Sequence, residues 1–239
     1  MKSQQDIADA IADHARGLSV DGKLVTADVA ALNALAASLS SRYPAAPPAP
    51  SVAPVTNLTV NIVLEVAHHE AIVQEMYLDS ESVRTWAMGV TNASGHNVDR
   101  YKDNPQPMRK CVEVSVWLMR SKYLVEVLRA FGGRPLTEAQ LAAALLFHWN
   151  TGAIEHTDWV NLFLAGKSVE ARAFLISHYL NGGKLAARRK AEAALFFDGA
   201  WANDGKTTVY EVSKPSYAPK WSSARRVDIS ADVAEVLAA

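Results

Sequence analysis

With 239 residues, 49% of them hydrophobic, the chain is long enough for one domain with an extension, or two unequal domains, and apolar enough to fill a core. Its 24 Lys and Arg side chains against 25 Asp and Glu leave almost no net charge, which argues against a nucleic-acid partner. No run approaches the roughly 18 apolar residues of a membrane span, and the single cysteine, Cys111, excludes an intrachain disulfide and reads as a small buried residue.

The first residues carry Asp6, Asp9 and Asp13 where a secretory signal needs an unbroken apolar core. The expectation is a protein made in the cytoplasm, without a signal peptide and without stable membrane insertion. Residues 7–14 and 27–39 read as two short helices, the second with Val29, Leu32, Leu35 and Leu39 on one stripe. Two helices make a poor core by themselves, so residues 1–43 are expected to be a helical N-terminal extension that docks elsewhere. Five prolines among alanines then mark residues 44–54 as a semi-rigid linker.

After the linker Ile62, Val66 and Val73 fall in helical register, until the polar break at Tyr77-Leu78-Asp79-Ser80-Glu81-Ser82. The β-branched and aromatic residues 83–91 predict a strand, so a helix should run into a small β-hairpin. Helical patterns follow at 108–131, 137–150, 155–165, 168–180 and 186–197, with Thr137 and Gln140 supplying a capping signal. Residues 55–201 thus read as a mostly helical α+β domain, and residues 202–239 as a tail with short strands at 207–212 and 226–229.

Glu70 lies four residues after Val66 and three before Val73, on the apolar stripe of its helix. A carboxyl held against apolar surface keeps its proton to higher pH, as a general acid requires, whereas Asp79, at the mouth of a polar turn, should stay ionised. Two carboxyls with separated proton affinities are the machinery of glycoside hydrolysis, although a spacing of nine between acids also arises by chance among surface carboxylates. His68-His69-Glu70 lacks the spacing of a zinc-protease helix, so neither metal nor cofactor is expected. Arg188 and Arg189, candidate substrate-binding residues, are neighbours on one helix, which predicts at most one facing inward to pair with a cleft carboxylate; the alternative is a surface pair with Glu192. Among the six tryptophans most are expected in the core, and Trp86, beside Thr85 on the hairpin, is the expected glycan-stacking residue.

These residues resemble the phage-type lysozymes of glycoside hydrolase family 24. In that family's pattern a Glu at a helix end is followed nine residues on by Asp or Cys and six later by Thr; Glu70, Tyr77, Asp79, Thr85 and Gly89 stand at matching places. The likeness continues through Leu136-Thr137-Glu138-Ala139-Gln140, then Phe147-His148-Trp149-Asn150-Thr151-Gly152, then Arg188-Arg189-Lys190-Ala191-Glu192, and covers about residues 65 to 201. It departs from the pattern at Ala87, where a glycine is usual, and at Val90, where a histidine is usual, leaving His96 as the only nearby substitute.

The resemblance implies a lysozyme-like fold and cleavage of the β-1,4 bond between N-acetylmuramic acid and N-acetylglucosamine in peptidoglycan, as in an endolysin that lyses the host or penetrates its wall. It implies Glu70 as proton donor, with Asp79 and Thr85 acting on the opposite face of the sugar, and Asn150 as a glycan contact or a helix C-cap. Action in the periplasm or cell wall without a signal calls for a holin-type export partner, delivery within a virion, or another route. A lytic transglycosylase is the rival within the chemistry. An inactive wall-binding or virion structural protein is the rival outside it.

Overall fold

A computed structural model describes residues 54–239, and Ala53–Ala239 form one compact unit. The expected helices at 7–14 and 27–39, and the linker but for Pro54, lie outside the described residues.

Helix α1 (Val60–Glu70) begins where the Thr59 hydroxyl accepts from the Ile62 N–H at 3.2 Å, an N-cap that satisfies one orphan donor. It buries Ile62, Val63, Val66 and Ala67 completely. It ends at Glu70: Ala71, at φ 58°, swings the chain directly into strand β1 (Ile72–Leu78). Val73 therefore belongs to a strand, not to the helical stripe expected of it; its β-branched neighbour Ile72 starts an extended segment that the helical register of three apolar residues had concealed. Strands β2 (Arg84–Ala87) and β3 (Val90–Thr91) complete an antiparallel hairpin ladder, with Tyr77 opposite Thr85 and Trp86 opposite Val90.

The stretch expected as one helix at 108–131 is three pieces. Helix α2 (Met108–Leu118) widens into a π-helical turn (Met119–Tyr123) before α3 (Leu124–Ala130). Helix α4 (Glu138–Thr151) opens with the Thr137–Gln140 capping box and closes at Gly152, whose φ of 66° is the left-handed conformation that glycine adopts without a Cβ penalty. Its run Leu141–His148 is buried on every side, so α4 is the central helix, with α1, α3 and α7 (Ala186–Asp198) packed around it. Helices α5 (Asp158–Leu164) and α6 (Ser168–Ser177) cover the far end, where Phe131, Trp159, Phe163 and Phe196 meet edge to face.

The C-terminal residues are built into the domain. Strand β4 (Lys206–Val212) pairs parallel with β1, Ile72 opposite Val209, and β5 (Pro219–Asp228) pairs with β4, giving the sheet order β3-β2-β1-β4-β5. Helix α8 (Ser230–Ala238), which the sequence reading did not foresee, packs on α1 and α2. The buried Glu65 carboxylate accepts from the backbone N–H of Ala202 (3.2 Å) and Asn203 (3.0 Å) and from the Asn203 amide (2.9 Å), fastening the end of the helical part to α1. The result is an α+β fold. Among the described residues no helix is long and apolar enough to cross a membrane.

Candidate active site

Glu70 is the last residue of α1, and its carboxylate, 17% exposed, accepts from the Arg188 guanidinium. The apolar setting expected for it is thus replaced by a buried ionic network. Arg188 also donates to the Leu146 carbonyl of α4 at 3.2 Å and, through Nε, to Glu192 Oε1 at 3.1 Å. Arg189 donates to the same Oε1 at 2.8 Å and to Asn150 Oδ1 at 2.7 Å, and its guanidinium lies 5.1 Å from the Phe147 ring centroid.

Both arginines therefore face inward, contrary to the expectation that one must be solvated: Arg189 is fully buried and Arg188 is 12% exposed. The physical reason is Glu192, which sits three and four residues ahead of them and is reached by both long side chains from adjacent positions on the helix. Burial pushes the Glu192 carboxyl up to about 7 against the opposing pull of Arg189, Arg188 and His69. Asn150 does not cap α4, since Gly152 takes that place; it holds Arg189.

Asp79 heads the hairpin turn. One carboxylate oxygen accepts from the backbone N–H groups of Glu81 and Val83, both at 2.9 Å, which alone accounts for an Asp at this position. The other oxygen is 3.3 Å from the Thr85 hydroxyl, which also faces the Val83 carbonyl at 3.0 Å. A single hydroxyl hydrogen serves one of these acceptors at a time. Tyr77, opposite Thr85, feels both carboxylates: burial first, then the negative charges of Asp79 and Glu70, raise its phenol above the ordinary range. Tyr123, at the end of the π-helical turn, is raised likewise by burial, then Glu126 and Glu70, and its ring packs 4.6 Å from that of Trp149. Glu70 is thus paired with one guanidinium, and its charge reaches two phenols.

Trp86 does not serve as an exposed stacking platform. It is fully buried, donates to the Gln74 carbonyl at 2.9 Å and stacks on Tyr101 at 3.9 Å; Thr85, on the opposite face of β2, is buried as well. The aromatic series continues through His96 to Trp117, which is the more exposed ring. His96, 2.9 Å from the Tyr101 hydroxyl, belongs to this stack, and Val90 is fully buried. Ala87 adopts φ 54°, a left-handed conformation suited to glycine, so its Cβ is accommodated at a cost of roughly 1–2 kcal/mol. The hairpin tip is held to α4 by Trp149, whose indole N–H donates to the Met88 carbonyl at 3.0 Å.

Among the described residues no group of three or more His, Cys, Asp or Glu side chains is arranged to hold a metal. Sequence reasoning underrated Glu192. Its offsets of three and four from the two arginines were a legible signal, but the surface salt-bridge reading of that pattern concealed it.

No family model matches the chain, and no curated protein does. The solved structures similar to it include two phage proteins. The endolysin of Escherichia coli O157:H7 phage FAHEc1 has 18% identity and a TM-score of 0.47 over 62% of this chain and 97% of its own. A point mutant of P22 lysozyme has 17% identity and a TM-score of 0.48 over 59% and 97%.

Proposed function

We propose that this chain is a peptidoglycan glycosidase that cleaves the β-1,4 bond between N-acetylmuramic acid and N-acetylglucosamine by hydrolysis. The observation that carries the reading is Glu70 at the C-terminal end of α1, whose charge bears on the same Tyr77 phenol as that of Asp79, the carboxylate paired with Thr85. In this reading Glu70 delivers a proton to the leaving glycosidic oxygen. Asp79 keeps one oxygen on the turn and directs the other, with Thr85, at water or at the developing positive charge on the sugar. Arg188, Arg189 and Asn150 form the floor beneath Glu70, and the sequence landmarks shared with phage-type lysozymes run through the same elements.

Mass spectrometry of fragments released from purified sacculi tests this reading. Muropeptides ending in reducing N-acetylmuramic acid are expected. Anhydro ends would assign the reaction to a lytic transglycosylase, in which the sugar's own hydroxyl replaces water. Intact sacculi would leave a wall-binding protein.

A further inference from the structure

Glu192 has no part in the reading above, yet it is the hub of the network under Glu70. It is fully buried, both arginines donate to its Oε1, and its Oε2 has no hydrogen-bond partner among the described residues. The groups facing it are Arg188 and Arg189 from its own helix and His69 from α1, with Glu70 one guanidinium away.

A single guanidinium shared between two carboxylates makes their proton affinities interdependent. While Glu70 is ionised, Arg188 bridges it to Glu192. When Glu70 takes up a proton from solvent, its attraction for Arg188 falls. The guanidinium then needs another acceptor, or a buried charge is left unpaired at considerable cost. Glu192 already holds the Nε of Arg188 and has a second buried oxygen to offer. Arg189 has no acceptor to offer Arg188 and is itself a second cation on the same Glu192 oxygen, tied also to Asn150 on α4.

We propose that Glu192 is a positioning residue for the proton donor: its carboxyl oxygens hold the Arg188 guanidinium in place, and its charge, coupled to that of Glu70 through that one guanidinium, helps set the pH at which the acid keeps its proton. The proposal rests on the reading of Glu70 as general acid. Without the charge at 192, Arg188 has Glu70 as its one carboxylate, and the ionised form of the acid is favoured over the form that works.

The test is the pH dependence of kcat on purified sacculi for the full-length wild type, Glu192→Gln and Glu192→Asp. In Glu192→Gln the alkaline limb of kcat should move to lower pH by about one unit, with kcat at neutral pH reduced roughly 10-fold and KM within about two-fold of wild type. Glu192→Asp should restore part of the displacement. A limb at its wild-type position, with activity lost only in proportion to folded protein, would reduce Glu192 to a structural ion pair and overturn the proposal.

A second measurement covers the case in which the variants do not fold. Nitrogen-15 spectra of the wild type should show the Arg188 Nε–H protected from solvent exchange on both sides of the alkaline limb, because Glu192 holds it throughout. Exchange as fast as that of the exposed Arg84 on either side would contradict it. Full activity in Glu70→Gln would remove the general-acid reading, an outcome separate from the Arg188 signal, which needs no turnover.

Discussion

Asp79 combines a structural duty with the chemical one assigned to it, and substitutions can separate them. Asp79→Asn keeps an oxygen for the backbone N–H groups of Glu81 and Val83 but removes the charge, so the hairpin should persist while kcat falls about 100-fold. Asp79→Ala removes both and should lower the melting temperature as well. Thermal unfolding and turnover measured side by side decide the matter: equal activity in Asp79→Asn and wild type would leave Asp79 as a turn residue only. Glu65 carries a prediction of the opposite kind, for stability. Burial pushes its carboxyl up, but the His69 ring 3.5 Å away and hydrogen bonds from Asn203 and Ala202 outweigh that and hold it below the usual carboxylate range. A folded value below the unfolded one, about 4.3, gives stability that is complete above that pH and is lost as pH falls through the lower folded value. Glu65→Gln should cost about 1–3 kcal/mol near neutral pH, and the difference should shrink on acidification. Denaturant unfolding at several pH values checks it; a difference constant with pH would contradict the assignment.

At the scale of elements, the helices were legible where periodicity and capping agreed. Thr137, Gln140 and Gly152 delimit α4 as their chemistry requires, and α5, α6 and α7 lie within a few residues of expectation. The passage from α1 to β1 was not legible, because a non-glycine residue, Ala71, makes the left-handed turn and Val73 happens to keep helical spacing. The inward arginine pair was hidden for a related reason: neighbours on a helix are expected on different faces, and only the shared acceptor Glu192 draws both in. The tail was legible as strands but not as partners of β1, since pairing between distant segments leaves no local mark in sequence. Its integration has a measurable consequence. Ending the chain at residue 201 would uncover the β1 edge and take away the donors that hold Glu65, so the truncated protein should be insoluble or should unfold without a cooperative transition. Calorimetry of the purified fragment would contradict this by showing a sharp transition near that of the full chain.

For the whole molecule, the central helix, the arginine-bearing α7 and the extended sheet converge on the end of α1, and the account stands on what Glu70 does there. The most direct measurement compares Glu70→Gln with wild type in the release of soluble fragments from purified sacculi, with Glu75→Gln as control because Glu75 pairs instead with Lys214 of the C-terminal segment. The amide keeps the shape of the side chain but has no proton to give. Release by Glu70→Gln is therefore expected to fall about 10²–10⁴-fold with unfolding behaviour close to wild type, while Glu75→Gln stays within a few-fold. Release by Glu70→Gln within a few-fold of wild type would contradict the account.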